Sequence, residues 1–136
     1  MNTTTTASTD IDVVRAGFEA FGRGDLAAFA DLFHEDATWN HRNDDRLGGT
    51  HAGSDGIVAF VTESAQLTAG TLRAVPEAIM ADGAGRVAVQ VRVSGSRPDG
   101  RTFDDSQMLL FVLDGERVHS VDQFVGDPAA VTAFWA

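Results

Sequence analysis

The sequence predicts an α+β fold, with helices gathered on one face of a curved, mainly antiparallel sheet. Three observations predict it. Helical spacing of apolar residues is confined to the first half of the chain and its end. Four strand-like runs follow one another between residues 72 and 125, and the turns that separate them are short and rich in Gly and Asp.

Each element has a local reason. Residues 1–9 are mostly Thr and are expected to form a disordered tail, leaving 10–136 as a single domain. Thr9-Asp10-Ile11-Asp12 offers N-cap candidates and a first-turn acid, after which Val14, Phe18 and Phe21 fall on one helical stripe. Gly22-Arg23-Gly24 ends that helix. Asp25 caps a short second one, with Leu26, Phe29, Ala30 and Phe33 on a shared face. Thr38 to Arg42 reads as a strand with Trp39 and His41 pointing the same way. Asn43 to Gly53 is turn-rich, a loop or an irregular hairpin. Ser54 is the expected cap of a third helix, in which Ile57, Phe60, Val61 and Ala65 keep helical spacing up to Gly70. Strands are expected at 72–81, 87–93, 103–113 and 118–125, and a short helix from Asp127-Pro128 to Phe134-Trp135.

Two strands say something about their surroundings. Val87, Val89, Val91 and Val93 alternate with Ala88, Gln90 and Arg92, so one face is buried and the other wetter. Met108 to Leu113 is apolar without interruption, and a strand apolar on both faces needs cover on both. A homodimer joined through the outer sheet face supplies the second cover most simply.

Composition excludes much. Ten Arg, no Lys and twenty acids give a formal net charge of −10, which disfavours nucleic acid and anionic membrane surfaces. Without Cys there is no thiol nucleophile, and without Lys no Schiff base or phosphate-loop lysine. His34, His41, His51 and His119 lack metal-ligand spacing, so neither metal nor cofactor is expected. A basic start followed by an apolar run is absent, as is any long apolar stretch; the expected location is cytoplasmic.

Gly24-Asp25-Leu26, Leu32-Phe33-x-x-Asp36-Ala37-Thr38-Trp39 and Gly49-x-x-x-Gly53-x-x-Gly56-Ile57 resemble the nuclear transport factor 2-like superfamily. Asp114-Gly115, Asp127 and the terminal Ala133-Phe134-Trp135 are similar to its SnoaL-like branch. The resemblance spans residues 10 to 136. It implies a cone-shaped sheet closed by three helices around a pocket, in a commonly dimeric protein, with the element order α-α-β-α-β-β-β-β. It also implies cofactor-free acid/base chemistry of the polyketide cyclase or isomerase kind. The ketosteroid isomerase base falls on His41, but that enzyme's two oxyanion donors fall on Gly17 and near Leu109, so that mechanism is not expected.

The resemblance to the cyclases places the essential acid/base at Asp122. If Ser120, Asp122 and Phe124 face inward, burial raises the carboxyl toward a useful base; in the opposite register Val121 is inward and Asp122 solvated. His41 is the second candidate acid or base, or else a pocket-wall histidine bonded to a carbonyl. Trp39, Phe18, Leu109 and Phe124 are expected to line a ligand pocket, and Gln107 to hold a ligand oxygen. Asp105 and Gln107 share one face of 103–113, Asp104, Ser106 and Met108 the other, and which faces in is open. Asp44, Asp45 and Arg46 read as solvated loop charges.

The leading expectation is an acid/base enzyme acting on a small hydrophobic oxygenated molecule. The alternatives are a non-catalytic ligand-binding or dimerisation module, and an epoxide hydrolase-like site built from Asp122, Asp105 and Arg92.

Overall fold

The computed structural model describes residues 3–136. Their order is α1 (Thr3–Gly22), α2 (Leu26–Asp31), β1 (Phe33–Arg42), β2 (Gly49–Ala52), α3 (Gly53–Leu67), β3 (Arg73–Ala81), β4 (Arg86–Ser96), β5 (Thr102–Asp114), β6 (Arg117–Phe124) and α4 (Pro128–Trp135). The six strands form one sheet in the order β2-β1-β6-β5-β4-β3. β1 and β6 run parallel, and every other pair is antiparallel. This is the α+β architecture that the sequence predicts.

α1 packs on β3 and β4, α3 on β1 and β2, and α4 on β5. The core lies between the helices and the inner sheet face. There Phe29, Phe33, Trp39 and Phe60 form an aromatic run, with ring centroids 5.0 Å apart for Phe29–Phe33 and 5.7 Å for Trp39–Phe60. Burying each such ring contributes roughly 1.5–3 kcal/mol. Asp25 caps α2 as expected, accepting from the Ala28 N–H at 3.0 Å. Asp127 caps α4 in the same way, accepting from Ala130 N at 3.2 Å.

Several boundaries differ from the sequence reading. The tail expected over 1–9 falls partly on Met1 and Asn2, outside the described residues, while Thr3–Thr9 continue α1 upstream of the expected cap. Phe33 opens β1 and does not belong to α2, which ends at the αR residue Leu32. The Asn43–Gly53 segment contains a strand, β2, paired with Thr38–His41. Ser54 caps nothing: α3 starts at Gly53, whose φ of +77° turns the chain directly out of β2.

The largest correction concerns β6. Val112 pairs with Ser120 but its neighbour Leu113 pairs with Val118, so His119 is an extra residue, a β-bulge. Strict alternation from the buried Val118 would turn Ser120, Asp122 and Phe124 inward. The bulge reverses the phase, so Val121 and Gln123 face in while Ser120, Asp122 and Phe124 lie on the outer face. On β5 the open register resolves with Phe103, Asp105, Gln107, Leu109, Phe111 and Leu113 buried.

Candidate functional site: an apolar cavity with a buried histidine

Between the helices and the sheet lies a cavity whose free volume is about 110 Å³. A single water needs roughly 10–15 Å³ on this scale, so the space suits a small organic molecule or a few waters. Phe18, Phe21, Phe60, Leu109 and Phe111 make most of its wall apolar. The polar part is concentrated where β1, β5 and β6 present Trp39, His41, Gln107 and Gln123.

These four side chains belong to one hydrogen-bond network. Gln123 Oε1 accepts from Trp39 Nε1 at 2.9 Å and lies 2.9 Å from His41 Nδ1. Gln123 Nε2 donates to Gln107 Oε1 at 2.8 Å, and Gln107 Nε2 donates to Asp105 Oδ2 at 3.0 Å. Asp105 is anchored in turn by the backbone N–H groups of Gly126 and Asp127, each at 3.0 Å. Gly126 permits this close approach, since a Cβ there would strike the Ser106 carbonyl.

On the other side of the imidazole, His41 Nε2 lies 2.8 Å from Asp45 Oδ2. The Asp45 side chain is 0% exposed and the His41 side chain 2%. Asp45 also accepts from Asn43 Nδ2 at 2.6 Å and from the Leu47 N–H at 2.8 Å. Burial alone would push the His41 pKa down, but hydrogen bonds to Asp45 and Gln123 and the Asp45 charge outweigh it, and the net shift is upward from 6.5. Burial likewise pulls Asp45 up, while hydrogen bonds from His41, Asn43 and Leu47 carry it below its ordinary 3.8. The two directions agree, and both describe an ion pair.

Of the residues singled out from the sequence, His41, Trp39, Gln107, Phe18 and Leu109 line the cavity. Asp105 stands one hydrogen bond behind Gln107. Asp122, Ser120 and Phe124 do not reach the cavity. Asp122, 23% exposed, accepts from Asn40 Nδ2 at 3.0 Å and pairs with Arg42 at 2.8 Å on the outer face. Phe124 is 46% exposed, with the Arg42 guanidinium 5.7 Å from its ring centroid. The epoxide hydrolase-like trio is not assembled either, because Arg92 faces outward onto Asp104 and Glu77 while Asp105 faces in.

Two residues of the network escaped the sequence reading. Asp45 is no solvated loop charge; the turn after β1 folds it back under His41. Gln123 was hidden by the bulge, although the apolar pair Val118 and Val121, three apart, signals a break in alternation. Among the described residues, no group of three His, Asp or Glu side chains could hold a metal, and no helix is long and apolar enough to cross a membrane.

Comparison with known proteins agrees with this architecture. The sequence model of the SnoaL-like domain matches residues 14–121. An uncharacterised protein of Mycobacterium tuberculosis, Rv0034, is 33% identical over 131 residues, covering 96% of this chain and 99% of its own. Bal32a, from a soil-derived mobile gene cassette, superposes with a TM-score of 0.93 at 29% identity, covering 96% of this chain and 99% of its own. TerC co-crystallised with polyporic acid shares the fold at 21% identity, with a TM-score of 0.81 and coverage of 93% and 97%.

Proposed function

The chain belongs to the SnoaL-like domain family, and on that footing we propose that it is a cofactor-free acid/base enzyme of the cyclase or isomerase kind. Its substrate is a small, hydrophobic, oxygenated molecule held in the cavity. One observation carries this reading. Among the described residues that line the cavity, His41 is the single titratable side chain, and it is buried against Asp45. A buried group of this type, tuned by one carboxylate, is what proton transfer near neutral pH requires. The aromatic wall excludes water and stacks a flat ligand, while the Gln107 and Gln123 amides hold its oxygen.

The test is turnover of a panel of cyclic ketones, enols and quinones by the native protein and by His41→Gln. Loss of proton-transfer catalysis should cost on the order of 10²–10⁴ in rate, with the far-UV spectrum unchanged. A His41→Gln protein with full activity would overturn the proposal.

A second reading is favoured by a different observation: Trp39, His41, Gln107 and Gln123 already have partners within the protein. Such a site also suits a module that binds the same class of molecule without transforming it. Saturable binding with no turnover on any member of the panel would select this alternative.

We further propose a homodimer through the outer sheet face. Val75, Met80, Met108 and Phe124 are exposed there, on β3, β5 and β6. Leu110 and Val112 extend the same apolar face and are only partly covered. Water-exposed apolar side chains gathered on one sheet face are an association surface, and a twofold pairing covers both copies at once.

A further inference from the structure

The hydrogen-bond network fixes where protons sit on His41. An indole N–H can only donate. Trp39 Nε1 therefore holds Gln123 with its amide oxygen toward the indole and its nitrogen toward Gln107. That same oxygen lies against His41 Nδ1, and since it carries no hydrogen, Nδ1 must donate to it. On the far side of the ring, Asp45 collects the Asn43 amide and the Leu47 backbone N–H as well as His41 Nε2. The Asn43 and Leu47 N–H donors favour the ionised carboxylate, which can only accept, so Nε2 donates too.

We infer that His41 rests as an imidazolium, that Asp45 and Trp39 (through Gln123) are the positioning residues that keep it so, and that the cavity takes a small apolar molecule as an oxyanion, pairing with an acidic phenolate and giving a proton to the more basic enolate. The ligand class rests on the proposed function; the protonation state does not.

Among the described residues, the groups facing the imidazole leave Asp45 as its one charged contact. α3 presents Phe60, with centroids 5.9 Å apart, and β6 presents the neutral Gln123. β5 presents Gln107, with Asp105 behind it. His51 on β2 stacks on Phe60 at 4.2 Å and binds the Leu47 carbonyl. Asn43, which supports Asp45, is itself bonded to Thr132 of α4 at 3.2 Å. Because Asp45 is fully buried and the imidazole lines the cavity, the positive end of the pair is the one a ligand meets.

The step balances without a co-reactant. The ligand oxygen displaces Gln123 Oε1 from Nδ1. The N–H bond breaks with its electron pair left on nitrogen, and an electron pair of the oxyanion forms the new O–H bond. For a delocalised enolate the same proton can end on carbon. One cation and one anion become two neutral groups, and Nε2–H stays on Asp45.

Two measurements on the full chain test this. In nitrogen-15 NMR at neutral pH, both ring nitrogens of His41 should show the imidazolium pattern, with a midpoint above the ordinary 6.5. Asp45→Asn, and independently Trp39→Phe, should each lower that midpoint. A neutral His41 at pH 7 in the native protein overturns the inference, and a Trp39→Phe titration identical to the native one overturns the role of Trp39. The second measurement compares 2-hydroxy-1,4-naphthoquinone, coloured as its anion, with 1,4-naphthoquinone, which has the same frame and no acidic hydroxyl.

A charge-assisted hydrogen bond should favour the hydroxyquinone anion by about ten- to a hundredfold and shift its anion absorption on binding. Equal affinity for the two, with the imidazolium confirmed, overturns the ligand class alone. Binding of neither overturns the ligand class together with the proposed function, and the NMR result then stands by itself.

Discussion

At the scale of single residues, the protein turns on one buried ion pair. His41 is raised from its ordinary pKa, so its contribution to stability is fully present below pH 6.5 and is lost as pH rises through the folded value. Asp45 is lowered, so its contribution is present above pH 3.8 and is lost as pH falls through its folded value. Urea midpoints should therefore peak between the two and decline on either side, and Asp45→Asn should flatten both limbs. Removing one partner of a buried pair leaves the other uncompensated, at a cost of roughly 3–5 kcal/mol. Asp45→Asn, which keeps a hydrogen-bonding group in place, should lose less stability than Asp45→Leu, and equal losses would show that the charge of Asp45, and not its hydrogen bonding, is what stabilises the fold. His41 was visible in the sequence because Trp39-x-His41 on a strand announces a shared face. Asp45 was not, because its burial depends on the β1–β2 turn closing beneath the ring.

At the scale of elements, the His119 bulge decides which side chains the cavity receives. It moves Asp122 out to Arg42 and brings Gln123 in to Trp39 and His41. An Asp122→Asn variant should accordingly keep ligand binding and turnover, and lose no more than about 1 kcal/mol of stability, as partly exposed ion pairs do. Loss of turnover with intact ligand binding would restore Asp122 to the mechanism. Deleting His119 should leave these faces as they are, because Val118 and Ser120 become neighbours and plain alternation then keeps Val121 and Gln123 in and Asp122 out. Inserting one residue between Ser120 and Val121 should instead turn Gln123 toward solvent and Asp122 into the apolar wall, with a fall in Tm and loss of ligand binding. Retained ligand binding in that insertion variant would show that strand phase does not decide which side chains the cavity receives. The strands themselves were legible from Val87, Val89, Val91 and the short Gly-containing turns. The bulge was not, because Ser120-Val121-Asp122-Gln123 alternates acceptably in either phase.

At the scale of the whole molecule, the outer sheet face carries exposed Val75, Met80, Met108 and Phe124 beside its ion pairs, and among the described residues no helix covers them. Met108→Asp combined with Phe124→Asp should convert a dimer to a monomer in sedimentation velocity at micromolar concentration, with the cavity and its ligand affinity retained. A native protein that is already monomeric would remove the proposed interface. The formal net charge of −10 acts on the entire surface. An anionic ligand approaching such a protein is repelled at long range, so its association should quicken as salt is raised from about 10 mM to 150 mM, where the Debye length shrinks to about 8 Å. A neutral quinone should show no such dependence.

By itself the sequence determined the α+β class, the SnoaL-like resemblance, the inward pairing of Trp39 with His41 and the absence of thiol and lysine chemistry. Those properties depend on local periodicity, turn chemistry and residue inventory, which are written in adjacent positions. Tertiary structure alone decided that Gln123 and not Asp122 faces the cavity, that Asp45 is buried, and that Asp105 stands behind Gln107. Each of these depends on pairing between segments far apart in the chain. One extra residue in one strand reverses a face, and one turn closing beneath a ring converts a loop charge into the counter-ion of a buried imidazolium.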